Sequence, residues 1–240
     1  MHDNSLSNLH FYDGGDETET YLARPYHQLR LRIMRQMVEG HGLQRGGVAR
    51  ALDIGCSSGR CTEIVLPAST AACVIGLDIS LTALQSADRN RLHATVADVV
   101  AGLPFASGTF DVIIAGEIIE HLIEVDAFLN EIRRCLKRDG ILVLSTPNLA
   151  RLIDRIRFLF GITPKQTIPM HRYLRYHVTS FTFSSLRETL ARCRFTIVRF
   201  ASNYVYLDPT GRTKAQSRWL AQVVPSLGGS LIVAARQVLE

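Results

Sequence analysis

Apolar residues along the chain follow two rhythms. Five short, mostly apolar runs, Val48–Leu52, Ala71–Leu77, Ala94–Ala97, Val112–Ala115 and Ile141–Leu144, have the length and apolar character of buried parallel strands. Other segments repeat at three- and four-residue steps. Leu22, Tyr26, Leu29, Ile33 and Met37 predict a helix over Tyr21–Glu39, with Pro25 in its first turn and Gly40 and Gly42 as its stop. Cys61–Leu66 is compatible with a helix, and Ser80 is placed to cap another. Phe128, Leu129, Ile132 and Leu136 form a further helical stripe, with Asp126 as cap and Gly140 as terminator. Residues 48–148 thus alternate strand and helix, which predicts an α/β fold: a doubly wound, mostly parallel sheet with right-handed crossovers. Ligands of such sheets bind beyond the carboxyl ends of the strands.

Beyond residue 148 the pattern changes. Leu149, Leu152, Ile153, Ile156, Leu159 and Phe160 make an apolar helical stripe interleaved with arginines, broken by Gly161 and Pro164. His171, Tyr173, Tyr176, His177 and Phe181 follow, and Ser185–Glu188 fits a capping box opening a helix to Arg192. Phe195–Phe200 and Leu231–Ala235 read as strands, with a helix around Lys214–Val224. Without repeats or a clear linker, the reading is one domain over 1–240, with an N-terminal arm and helix at 1–42 and a helical cap at about 149–182. The helix before the first strand has two readings, a lid over a ligand or a packing helix.

Composition narrows the class. Hydrophobic residues make up 47% of the chain, enough for a substantial core. The net charge of +5 is far from a nucleic-acid-binding extreme, so a nucleic-acid partner is not expected. The charge is unevenly placed: residues 151–176 hold Arg151, Arg155, Arg157, Lys165, Arg172 and Arg175 against Asp154 alone. Five cysteines without a C-x-x-C pair argue against a disulfide framework and a thiolate zinc site. No signal-peptide pattern and no apolar run of ~18 residues is visible, so the expected location is cytoplasmic.

The stretch Ala51-Leu52-Asp53-Ile54-Gly55-Cys56-Ser57-Ser58-Gly59-Arg60 carries the chemistry. An apolar strand ends in an acid, turns through two glycines and enters a helix whose first N–H groups suit a carboxylate or phosphate. The spacing fails the dinucleotide pattern G-x-G-x-x-G. It resembles instead D-x-G-x-G-x-G, the first motif of class I S-adenosylmethionine-dependent methyltransferases, with Ser57 at the middle glycine. Asp78, Asp98 with Leu103-Pro104-Phe105, and Phe110-Asp111-Val112-Ile113 extend the resemblance across residues 48–148. The resemblance implies a seven-stranded sheet and S-adenosyl-L-methionine as cofactor. Asp53, Gly55, Ser57 and Gly59 would hold its methionine part, Asp78 with Ile79 the ribose, and Asp98 with Val99 the adenine, with Glu117 close by.

Methyl transfer is an in-line displacement that needs positioning and, for an oxygen acceptor, a base. His121 and His177 are the candidate bases. Glu117, Glu120 and His121 would share one face of a helical turn, and with His177 they form an alternative divalent-metal set. A similar E-x-x-E-H run occurs in ubiquinone-biosynthesis O-methyltransferases and in small-RNA 2′-O-methyltransferases of the family. The favoured reading has no metal and a small-molecule acceptor methylated at oxygen. Its rivals are an RNA-directed methyltransferase with a Glu/His metal site and a non-catalytic cofactor-binding protein of the same fold. The basic stripe at 149–160 has a membrane-surface reading and a phosphate-backbone reading beside the commoner one of a solvated helix packed over the pocket.

Overall fold

A computed structural model of the chain describes residues 22–88, 91–164, 167, 176–208 and 215–238; the expected arm at 1–20 and the residues His171, Tyr173, Lys165, Arg172 and Arg175 lie outside these. The order is α1 (Pro25–Arg45), β1 (Val48–Ile54), α2 (Arg60–Val65), β2 (Ala71–Asp78), α3 (Leu81–Gln85), β3 (His93–Val96), β4 (Phe110–Gly116), α4 (Val125–Cys135) and β5 (Leu136–Pro147). Then come α5 (Leu152–Leu159), α6 (Phe183–Arg192), β6 (Phe195–Ala201), β7 (Val205–Tyr206), β8 (Gln216–Ser217), α7 (Arg218–Val223) and β9 (Ser230–Gln237). Seven strands form one sheet in the order β3-β2-β1-β4-β5-β9-β6. From β3 to β5 every pairing is parallel, and β9 runs antiparallel between β5 and β6. β7 and β8 form a separate small ladder.

Strand alternation divides the core into two faces. Leu52, Ile54, Ile113, Ala115, Leu142 and Leu144 point to one side, where Phe128, Leu129 and Ile132 of α4 and Leu186 and Leu190 of α6 cover them. Ala51, Val112, Ile114, Ile141 and Val143 point to the other, against Leu31, Met34, Met37 and Val38 of α1 and Val65 of α2. α1 is therefore a packing helix along most of its length. Only its first turns reach the carboxyl rim of the sheet, where the Arg30 guanidinium donates to Ser145 Oγ (2.7 Å) and Tyr26 Oη meets Ser230 Oγ (2.6 Å). Of the two readings left open for this helix, these contacts support the packing one.

Several boundaries differ from the sequence expectation. α1 runs through Gly40 and Gly42 and stops at Gly46, whose left-handed φ of 74° lets its N–H bond back to Gly42 O. A helical glycine costs only ~1 kcal/mol relative to alanine, which the packing of Met34, Met37 and Val38 outweighs. Leu136 leaves the helix and opens β5, where it pairs with Phe110. Gly140 lies inside β5 at a register shift; a Cβ there would sit 2.8 Å from Leu136 Cγ and 3.0 Å from Asp111 O. Asp126 does not cap α4; its carboxylate accepts from Arg192 of α6 at 2.7 Å. The capping box of α6 is Thr182 with Ser185, three positions ahead of the one read from Ser185 and Glu188. Ser80 does cap α3, accepting from Ala83 N. Among the described residues no helix is long and apolar enough to cross a membrane.

If α1 is part of the core, Met34→Ala will lower the unfolding free energy by roughly 2–5 kcal/mol, the usual cost of emptying a buried Met site. Urea titration checks this, and a loss below about 1 kcal/mol would detach α1 from the folded unit.

Candidate functional site

The turn after β1 is held by backbone and by two carboxylates. The N–H groups of Gly55 and Cys56 both donate to Leu77 O of β2 (2.7 and 3.2 Å). Gly55 has φ 75°, and a Cβ on it would fall 2.3 Å from Ile118 Cδ1, so this position needs glycine twice over. Ser57, where the resembled motif has glycine, also takes a left-handed φ of 49°. Its N–H donates to Asp78 Oδ2 (2.8 Å), which helps hold that conformation. Gly59, at φ 79°, precedes α2 and completes the turn. The Ser58 hydroxyl is buried there with no hydrogen-bond partner among the described residues.

Asp53 is buried, and its carboxylate accepts from the Thr62 hydroxyl at 2.6 Å. It braces the start of α2 from beneath. Burial pushes its pKa up to about 7, opposed in part by the Thr62 bond and aided by the nearby Asp78 charge. Asp78, at the tip of β2, accepts from two backbone amides, Ser57 N on Oδ2 and Ser80 N at 2.9 Å on Oδ1. Burial raises its pKa as well. Each of these oxygens keeps a further acceptor site. Asp98 follows β3 and is half-buried, with Oδ1 accepting from Val100 N (2.9 Å) and so fixing the short turn Val99–Ala101. The three acids thus stand at the ends of three adjacent parallel strands.

The exit of β4 departs from the expected regular helical turn. Glu117 has φ 57°, and a short 3-10 turn covers only Ile119–His121. The kink separates the residues that a helix would have aligned. Glu117 Oε1 accepts from Ser145 Oγ (3.1 Å) and lies 3.7 Å from the buried Arg30 guanidinium. Glu120 is 2% exposed; Oε2 accepts from the Thr146 hydroxyl (2.9 Å), and Oε1 has no hydrogen-bond partner among the described residues. Burial and the neighbouring Glu117 charge raise the Glu120 pKa well above the ordinary carboxylate value.

His121 and His177 meet edge to face with ring centroids 4.9 Å apart. His121 Nδ1 lies 3.1 Å from Tyr176 O, which fixes the Nδ1–H tautomer and leaves Nε2 as an acceptor. Burial first, then the neighbouring His177, brings the His121 pKa down to about 4, so the ring is neutral at pH 7. The segment bearing His177 is tied down by Thr179, whose N–H donates to Glu120 O (3.0 Å) and whose hydroxyl donates to Leu122 O (2.7 Å). Ligand atoms of Glu120, His121 and His177 all lie within 4.8 Å of one another. Glu117, part of the four-residue set read from sequence, stands outside that group.

Sequence reasoning missed Thr62, Ser145, Thr146 and Arg30. Only Arg30 left a trace, since it falls four positions after Tyr26 on an otherwise apolar helix stripe. Ser145 and Thr146 become visible only when β4 and β5 are paired, and Thr62 only when the first turn of α2 is laid over the end of β1.

Residues 52–144 match a family model described as a methyltransferase domain. A ubiquinone biosynthesis O-methyltransferase of Bartonella quintana is 30% identical over 142 residues, covering 52% of this chain and 56% of that protein. The chain spans about half the length of the curated relatives it matches. The N-methyltransferase NodS of Bradyrhizobium japonicum, solved with S-adenosyl-L-homocysteine, superimposes with TM-score 0.62 at 17% identity, over 98% of this chain and 99% of NodS. The [4+2]-cyclase SpnF superimposes with TM-score 0.58 at 18% identity, over 87% of this chain and 81% of SpnF. The fold is shared, and by itself it does not fix the reaction.

The raised pKa of Asp53 makes stability pH-dependent. Unfolded, the group titrates near 3.8; folded, near 7. Stability contributed by the neutral acid is therefore lost as pH rises from about 4 to about 7. Asp53→Asn removes that loss, so the variant will gain on the wild type by up to about 3 kcal/mol between pH 4.5 and pH 8, read by urea unfolding of the ligand-free protein. A difference between the two proteins that is flat with pH would show that Asp53 is ionised in the folded state.

Proposed function

We propose that this chain is a class I S-adenosylmethionine-dependent methyltransferase that transfers a methyl group to an oxygen of a small molecule, a reading supported by the methyltransferase domain matched over residues 52–144. The observation that carries the cofactor assignment is the set of Asp53, Asp78 and Asp98 at three adjacent strand ends beside a left-handed glycine turn. Gly55, Ser57 and Gly59 let the backbone approach the methionine part, and Asp53 acts from below by bracing the turn through Thr62. Asp78 has acceptor capacity left for the two ribose hydroxyls, with Ile79 beside it. Asp98 and the N–H of Val99 meet the adenine edge. The relatives named as ubiquinone biosynthesis O-methyltransferases support an oxygen acceptor.

S-adenosyl-L-methionine, when bound, supplies an electrophilic methyl group. The chain has then to place an acceptor oxygen in line and receive its proton. Glu117 and His121 suit that task, because they follow β4 beside Ser145 of β5 on the same rim, where His177 meets His121. His121, neutral and anchored through Nδ1, orients its neighbour, and His177 serves as the general base.

One observation favours a second reading with a divalent cation. Glu120, His121 and His177 present a carboxylate oxygen and two imidazole nitrogens within 4.8 Å of one another, and Glu120 Oε1 is buried with no hydrogen-bond partner among the described residues. A buried orphan oxygen costs free energy that a ligand would recover. This oxygen-and-nitrogen donor set suits Mn²⁺, Fe²⁺ or Zn²⁺, and a bound cation would lower the pKa of an acceptor hydroxyl.

Asp78→Ala will weaken S-adenosyl-L-homocysteine binding at least tenfold by calorimetry, about 1.4 kcal/mol or more, with the fold intact by circular dichroism. Unchanged affinity removes the cofactor assignment. For the cation, Mn²⁺ or Zn²⁺ titrated into the wild type should bind with unit stoichiometry, and Glu120→Gln and His177→Ala should each abolish that binding. Equal binding by all three proteins rejects the site.

A further inference from the structure

Helix α5 leaves the rim of the sheet just past β5. Its root is fixed: the buried Asn148 amide donates to Ser226 O (3.0 Å) and Gly228 O (2.7 Å), and Arg155 donates to Ser226 O (3.0 Å). Its far end is bare. Phe158, Leu159 and Phe160 are 66%, 83% and 76% exposed, and Ile156 and Ile162 are exposed beside them. Within the helix only Ile153 and Asp154 are buried. The amphipathic stripe read from sequence therefore does not pack onto the protein along its length. Helix α7, which packs on β7 as α5 does, adds Trp219 at 69% exposure and the exposed Val223.

The chain that carries these apolar groups is strongly basic in sequence. From 149 to 176 the sole acid is Asp154, buried and paired with Arg151, against Arg151, Arg155, Arg157, Lys165, Arg172 and Arg175 in sequence. At α7 the charges are Arg218, the first residue of the helix, and Asp208, just beyond β7. A second copy of this chain would bring like charges together. An anionic bilayer complements the surface on both counts: headgroup phosphates take the arginines, while Phe158, Leu159, Phe160 and Trp219 suit the headgroup–acyl boundary.

We propose that the α5 tip and the neighbouring face of α7 dock the protein on anionic lipid bilayers, with Phe158, Leu159 and Phe160 entering the interface and the flanking arginines resting on phosphates. The proposal is independent of methyl transfer, because it is read by binding alone. The full-length chain is mixed with phosphatidylcholine vesicles, with or without about 30% phosphatidylglycerol, and separated by flotation. The wild type should float with the anionic vesicles only, and less at high salt. Leu159→Asp with Phe160→Asp should reduce flotation at least about tenfold while leaving thermal unfolding unchanged, since both side chains are solvent-exposed. Absence of flotation by the wild type, or equal flotation by the variant, overturns the proposal. So does a lipid-free dimer by sedimentation that the same variant dissociates, since the face would then belong to a second copy.

Discussion

Four strands, β1, β2, β4 and β5, run parallel in the middle of the sheet, with β3 parallel at its edge, so every turn that leaves them opens on one rim. Parallel pairing needs a crossover on each return, and right-handed crossovers spread helices over both faces. The rim is then the place where backbone groups are not covered by helices. Asp53, Asp78, Asp98, Glu117, Ser145 and Thr146 are there because their strands end there, and Arg30, Thr62 and His177 reach them from helices and a loop. The buried faces tolerate little else: the strand residues facing α1 and α4 are almost wholly apolar.

The rim is stiffened by bonds between neighbouring exits. Asp78 at the end of β2 accepts from Ser57 in the turn after β1, so the two tips are fixed to each other. Ser145 of β5 receives a bond from Arg30 and gives one to Glu117, which ties α1, β4 and β5 at one point. Arg30 is buried, and its charge is compensated by the Glu117 carboxylate at 3.7 Å. That pairing leaves Glu120 apart, buried and held by Thr146 on one oxygen only. Two neighbouring glutamates thus have different tasks: one neutralises an arginine, the other faces the histidines.

Much of this was legible in the chain. The five apolar runs, their acids and the glycine turn gave the sheet and the tips where Asp53, Asp78 and Asp98 stand, because buried parallel strands are near-continuous apolar segments with short exits. Helix ends were less legible. Gly40 and Gly42 read as stops, yet the packing of Met34, Met37 and Val38 carried α1 past them. Asp126 read as a cap and became the partner of Arg192, a residue 66 positions away. Such choices are settled by contacts between segments that local propensity does not contain.

The sequence alone determined the order of strands and helices, the strained turn at Gly55–Gly59 and the basic, acid-poor stretch after β5, since each is a local property of residue type and spacing. Only the tertiary structure decided that Glu117 turns to Arg30 while Glu120 joins His121 and His177, and that Phe158, Leu159 and Phe160 face solvent. The reason is physical: a left-handed backbone at Glu117 breaks the helical periodicity on which the sequence reading relied, and exposure depends on what the rest of the chain leaves uncovered.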